Sequence, residues 1–170
     1  MGAQATRRGF LRGLLAMAAA ALGPSGPAEA ALKAGERPKR ATLSDLTGAQ
    51  LVLPDAYGGK VLIVHFWASW CPPCFRELDA LESLFGEYRE RGFVPVSVNV
   101  GETKAAVTES LRNRKVTYPI LLDTDSATAR LYGVTGVPTT FVLDRAGSVT
   151  VKVLGEIDRE GLRRILSGVL

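Results

Sequence analysis

Residues 65–74 read HFWASWCPPC. Cys71 and Cys74 are the only cysteines of this 170-residue chain, and His65 is its only histidine. The nearly unbroken apolar run VLIVHFWA (61–68) leads straight into the pair. Such a run reads as a β-strand buried on both faces. Pro72 and Pro73 then suit the first turn of a helix. The two cysteines are thus expected at the carboxyl end of a central strand, where the next helix begins. Open α/β sheets place their chemistry at that edge.

Two thiols this close can be a structural staple, half of a metal site or a redox couple. A Cys71–Cys74 bridge closes almost no loop, and the entropic gain of a staple grows with loop length. A zinc site needs about four ligands, and the chain offers two thiolates and one histidine. A Cys-x-x-Cys without a second pair is most simply a dithiol/disulfide couple. Neither a metal nor a cofactor is expected.

Reactivity follows from position. The thiolate is the nucleophile, so a reactive cysteine needs a lowered pKa. Cys71 falls just before a helix, where unpaired N–H groups and the positive end of the dipole face its sulfur. Cys74 lies over the same turn but deeper. The expectation is an asymmetric pair, with Cys71 exposed and attacking and Cys74 buried and resolving. Trp70, Pro72 and Pro73 border the sulfurs and are assigned to the client-binding surface, while Trp67 reads as core. Glu77 follows Cys74 by three residues. It is either a solvated surface acid or a partly buried one that exchanges a proton with Cys74. His65 lies mid-strand on the face shared by Ile63 and Trp67. It is either hydrogen-bonded core packing or a second proton carrier.

Outward from the motif, strands and helices alternate. Ala41–Leu46 and Gln50–Leu53 flank Thr47-Gly48, a hairpin signal. Pro72 to about Arg91 reads as a helix, with Leu78, Leu81, Phe85 and Tyr88 at helical spacing and Arg91-Gly92 at its end. Phe93–Val100 alternates as a strand, and Thr103–Lys115 is an amphipathic helix. A short strand Ile120–Leu122 and a third helix, Asp125–Tyr132, opened by its aspartate, follow. Strands Thr139–Leu143 and Ser148–Leu154 surround the turn Asp144–Gly147. A last helix runs from Asp158 to Leu166 or beyond, capped by Asp158. This order predicts one α/β domain over 41–170, a sandwich with a mixed central sheet.

The first thirty residues read as an export signal. Arg7-Arg8 precede the apolar run Leu14–Leu22, and Ala28-Glu29-Ala30 supplies a small-x-small cleavage site. Thr6–Arg12 (TRRGFLR) resembles the twin-arginine motif. The nine-residue apolar run is too short to span a bilayer, which takes about 20 residues. An uncleaved membrane anchor is the alternative. Residues 31–40 read as a charged linker. The formal charge is +4. The first thirty residues hold three arginines and one glutamate, so 18 basic against 16 acidic residues remain. That near-neutral balance, without a basic stripe, argues against nucleic acid. Export to the bacterial periplasm would push thiols toward disulfides.

VLIVHFWASWCPPC, followed much later by Gly136-Val137-Pro138-Thr139-Thr140-Phe141, resembles the TlpA/ResA branch of the thioredoxin-like proteins. VSVNVGETKAAV and LLDTD (121–125) resemble the ResA side of that branch. The likeness covers about residues 41–168. It implies a thioredoxin-like α/β/α sandwich with an N-terminal β-hairpin and a central insertion around Thr103–Lys115 and its neighbouring strand. It further implies that Pro138 is the cis-proline facing the cysteines, with the Val137 backbone turned toward a bound peptide. Glu77 matches the acid used near the buried cysteine. His65 departs from the family, standing where thioredoxin has a buried aspartate and this branch often asparagine. Asp79 replaces a helix-kinking proline, so the helix is expected to be straighter. The implied activity is reduction of disulfides in client proteins, apocytochrome c first, by a monomer fed by a membrane thiol donor of the CcdA or DsbD type. A reductant or a copper-binding module for oxidase copper-site assembly is the alternative.

Overall fold

The structure is a computed structural model that describes residues 32–170. The export-signal reading lies outside the described residues. Seven strands form one mixed sheet: β1 (Ala41–Asp45), β2 (Gln50–Leu53), β3 (Val61–Trp67), β4 (Phe93–Val100), β5 (Ile120–Asp123), β6 (Thr139–Leu143) and β7 (Val149–Leu154). Their order is β2-β1-β5-β4-β3-β6-β7. β3, β4 and β5 run parallel at the centre. β1 joins β5, and β6 joins β3, antiparallel. Four helices complete the domain: α1 (Pro72–Tyr88), α2 (Lys104–Leu111), α3 (Ala127–Leu131) and α4 (Arg159–Val169). This is the expected thioredoxin-like sandwich, with the α2–β5 insertion placed between β4 and the N-terminal hairpin.

The sheet separates two apolar layers. All seven residues of β3 are buried. Its odd positions Val61, Ile63 and Trp67 join Cys71 just ahead of α1, Cys74 and Leu78 of α1, Val107 of α2 and Leu162 and Leu166 of α4. Its even positions Leu62, Val64 and Phe66 meet Val96, Val98, Tyr132 and Phe141 on the other face. Each such aliphatic or aromatic side chain, fully buried, stabilises by about 1.5–3 kcal/mol. A charge at Val64 would face this second layer without a partner. β4 alternates in sequence yet is buried through most of its length, because it is the middle strand of the sheet with helices over both faces. Its inward polar residues, Ser97 and Asn99, therefore lie wholly inside.

Several bounds differ from the sequence reading. The first helix stops at Tyr88 and tightens into a 3₁₀ turn, Arg89–Arg91, that Gly92 ends at φ 84°. Only glycine adopts such a backbone without strain. α1 runs unbroken through Asp79, which pairs with Arg114 at 2.7 Å. α2 covers Lys104–Leu111, with Thr103 as its cap, and buries only Val107. The charged run Arg112–Lys115 has no apolar face to hold it helical. α3 shrinks to five residues, and its entry is held chiefly by buried Asp123, whose two oxygens accept the N–H groups of Thr128 and Ala129. Residues 33–37, read as linker, lie along β7. Gly35 donates to Val149, and Val149 donates back to Glu36. In the hairpin, Asp45 accepts the amides of Thr47 and Ala49. No helix among the described residues is long and apolar enough to cross a membrane.

Candidate active site

β3 ends at Trp67, three residues of connection follow, and Cys71 is the N-cap of α1. Cys71 and Cys74 are joined in a disulfide with Cα atoms 5.4 Å apart. The helix provides this span: residues three apart lie one turn apart on one face. Both sulfurs are nearly covered in this oxidised form. Cys71 keeps 5 % of its surface exposed and Cys74 none. The predicted asymmetry is thus present in direction, but the expectation of an openly exposed Cys71 is corrected. Trp67, fully buried, shares the core cluster of Cys71.

A second correction concerns the electrostatics. Pro72 and Pro73 occupy the first two helical positions and carry no N–H, and Cys74 donates its own to the Cys71 carbonyl at 3.1 Å. The three amides that would ordinarily face the sulfur are absent or engaged. What acts on Cys71 is the aligned dipole of seventeen helical residues, with no acid in the first turn to oppose it.

The carboxyl group of Glu77 is buried, 0 % exposed, so the surface reading of this residue is set aside. Its Oε1 accepts the Ile157 amide at 2.9 Å and its Oε2 accepts the Thr140 hydroxyl at 3.1 Å. Burial pushes its pKa up from 4.5 to about 7, against the pull of those two donors. Next door, an exposed Arg76–Glu156 pair ties α1 to the segment before α4. His65 meets Glu77 from below: Nε2 stands 3.4 Å from Oε2. The imidazole is fully buried, and burial pulls its pKa from 6.5 to about 3. It is therefore neutral at pH 7, and the contact is not an ion pair. The two residues that sequence alone treated as separate candidates form one buried pair, with Glu77 one helical turn after Cys74.

The Val137–Pro138 bond is cis, and Val137 packs against the core cluster that holds both cysteines. The Leu53–Pro54 bond is cis as well, which the sequence did not reveal. Pro138 is buried and its carbonyl accepts from Gly155 at 3.0 Å. Beside it, Leu154, paired with Thr139 across β6 and β7, is 66 % exposed. Trp70 is 71 % exposed. Trp70, next to Cys71, and Leu154, next to the cis-proline segment, are thus the large apolar side chains left exposed among the described residues.

Sequence reasoning passed over Glu102. Its carboxylate accepts the Ser69 amide at 2.7 Å, the Ser69 hydroxyl, and the Asn99 amide group at 2.7 Å. Burial opposes its charge, but these donors outweigh it and hold the pKa below the usual range. The residue pins the loop on which Trp70 and Cys71 sit. Thirty-three residues separate it from Ser69, so no local pattern could link them.

A strand-end disulfide at a helix N-terminus, with a buried acid one turn further on and a cis-proline opening a neighbouring strand of the same sheet, defines a thioredoxin-like oxidoreductase of the dithiol type. The AhpC/TSA family pattern matches residues 34–152. The chain is 35 % identical over 127 residues to the thiol-disulfide oxidoreductase ResA of Geobacillus thermodenitrificans, covering 75 % of this chain and 72 % of that protein. It is 28 % identical over 141 residues to ResA of Bacillus thuringiensis, 83 % and 81 % of the two chains. The crystal structure of a Chlorobium tepidum protein described as thiol:disulfide interchange protein DsbE superposes with a TM-score of 0.76 at 31 % identity, over 82 % of this chain and all of that one. The chain belongs to the AhpC/TSA family, and within it to the ResA-like thiol–disulfide oxidoreductases. It is a protein thiol–disulfide oxidoreductase whose substrates are disulfide-containing proteins.

Proposed function

We propose that this protein is exported and reduces disulfides in client proteins of the periplasm, apocytochrome c before haem attachment above all. The observation that carries the chemistry is the Cys71–Cys74 disulfide at the start of α1 with buried Glu77 one turn further on. The client rests on the likeness to ResA and on the exposed Trp70 and Leu154.

In this reading the Cys71 thiolate attacks a client disulfide. A mixed disulfide forms between Cys71 and the client, and one client thiolate leaves. Cys74 gives its proton to Glu77, and its thiolate attacks the Cys71 sulfur. The second client thiolate leaves, and the internal disulfide is restored. Two electrons have passed to the client, whose thiolates take their protons from solvent, while Glu77 keeps the proton of Cys74. A membrane thiol donor of the CcdA or DsbD type runs the reverse exchange: its thiolate attacks Cys71, Cys74 leaves as thiolate, and protonated Glu77 supplies the proton. Trp70, Pro72, Pro73 and the Val137–Pro138 segment receive the client, with extended peptide pairing along the Val137 backbone.

The test is a Cys74→Ser trap combined with the equilibrium potential against glutathione. The expected result is a mixed disulfide through Cys71 with a Cys-x-x-Cys-His apocytochrome peptide, and a potential nearer about −270 than about −120 mV. A potential at the oxidising end, or preferential trapping of copper-site subunits, would overturn the direction or the client.

A further inference from the structure

A row of buried polar groups runs through the core behind His65. His65 Nδ1 lies 3.2 Å from the Ser97 hydroxyl. Ser97 Oγ lies 3.3 Å from the Tyr118 hydroxyl, and that hydroxyl lies 3.3 Å from the Leu78 carbonyl of α1. All three side chains are buried.

One arrangement of protons satisfies every contact. A carbonyl oxygen only accepts, so Tyr118 donates to Leu78. The Tyr118 oxygen then accepts, so Ser97 donates to it. The Ser97 oxygen in turn accepts, so His65 carries its proton on Nδ1. A neutral imidazole has one N–H, which leaves Nε2 as a bare lone pair. That nitrogen is the one 3.4 Å from Glu77 Oε2, and it makes no other hydrogen bond. An ionised Glu77 would set a carboxylate against a lone pair. A protonated Glu77 donates to Nε2 while its oxygens still accept from Ile157 and Thr140.

We propose that the relay Leu78–Tyr118–Ser97 locks His65 in its Nδ1–H tautomer, and that the bare Nε2 so presented makes Glu77 the holder of one proton shared across the pair. His65, Ser97 and Tyr118 are positioning residues: they act through Glu77. The groups that face the pair are consistent with this. Glu77 is met by Thr140 from β6 and the Ile157 amide, and the charge of Glu156 opposes its ionisation. Burial above all keeps Tyr118 neutral, and the charges of Glu82, Asp79 and Glu77 add to it, against the Ser97 hydrogen bond. No cation is among the groups that perturb Glu77. The consequence rests on the reductase reading: the locked tautomer makes ionised Glu77 a stronger base toward Cys74, and protonated Glu77 the acid that serves Cys74 as it leaves.

Because His65 is the only histidine, ¹⁵N-histidine labelling of the oxidised full chain reads its tautomer without ambiguity. Carboxyl ¹³C shifts of Glu77 across pH read its midpoint. The expected result near pH 5–7 is a neutral ring with Nδ1 protonated and Nε2 bare, at a pH range where free histidine titrates, about 6.5. Tyr118→Phe frees the Ser97 proton to turn toward Nδ1. The ring then flips to Nε2–H and donates to Glu77, and the Glu77 midpoint falls by about one pH unit or more. Ser97→Ala removes the acceptor of Nδ1–H and is expected to act in the same direction. An imidazolium or an Nε2–H tautomer in the unmodified protein overturns the proposal. So does an unchanged tautomer and Glu77 midpoint in both variants. These readouts need no client, so failed client reduction with the expected tautomer would discredit the reductase reading and leave the relay standing.

Discussion

His65 Nε2 and Glu77 Oε2 face each other across 3.4 Å, and neither side chain has any exposed surface. β3 carries one and α1 the other, so the contact exists only when helix and sheet are docked. Burial moves the two groups in opposite directions, the histidine from 6.5 down to about 3 and the acid from 4.5 up to about 7.

The first prediction is a plateau in stability against pH. Folding retains the Glu77 proton up to about 7, where the unfolded chain has lost it above 4.5, so this residue's contribution is present below 4.5 and falls as pH rises to 7. His65 works the other way. Its contribution is present above 6.5 and is lost as pH falls toward 3. Between 4.5 and 6.5 the slopes oppose and cancel. Denaturant unfolding across this window should be flat in the parent and rise with pH in Glu77→Gln, where only the histidine's slope survives. Parallel profiles for the two proteins would contradict the opposed shifts.

Cys71 is expected to be the acidic thiol of the reduced form. In Cys74→Ser, thiolate absorbance should give Cys71 a midpoint below the free value of about 8.5. Cys74 alone, in Cys71→Ser, should titrate at or above that value, because it is buried. The shift of Cys71 should be modest for a helix N-cap, since two prolines remove the amides that would otherwise reach the sulfur. A lower midpoint for Cys74 would reverse the roles.

Trp70 and Leu154 should matter for clients and little for folding. Both are mostly exposed, so Trp70→Ala and Leu154→Ser should change stability by no more than about 0.5 kcal/mol. An anchoring tryptophan is worth about 2 kcal/mol in binding, so kcat/KM for a disulfide peptide should fall by about tenfold or more in Trp70→Ala. Unchanged kcat/KM in both variants would move the docking surface elsewhere.

Glu102→Ala should loosen the loop ahead of the cysteines. The carboxylate gathers three donors from Ser69 and Asn99, and its loss should cost about 1–3 kcal/mol. Amide exchange at Ser69 and Trp70 should accelerate by more than in α4, which supplies none of the hydrogen bonds to this carboxylate. Uniform acceleration throughout the domain would mean that Glu102 supports the fold as a whole.

The local patterns of the chain determined much of this protein. A nearly unbroken apolar run, two prolines and a Cys-x-x-Cys place a strand, a helix start and a redox pair in order, because each depends on neighbours within one or two turns. The cap at Asp158 and the turn at Thr47-Gly48 are local in the same way, and the structure has both. Tertiary structure alone decided what surrounds Glu77 and His65. The groups that tune them come from Thr140 and Ile157, 63 and 80 residues from Glu77, and from Ser97, 32 residues from His65. A serine at the middle of FVPVSVNV was a visible irregularity, but its partners were not. Hydrogen bonds across such distances cost nothing to sequence pattern and leave no period in it. They arise when β4, the middle strand, is covered on both faces and its polar side chains must find partners inside.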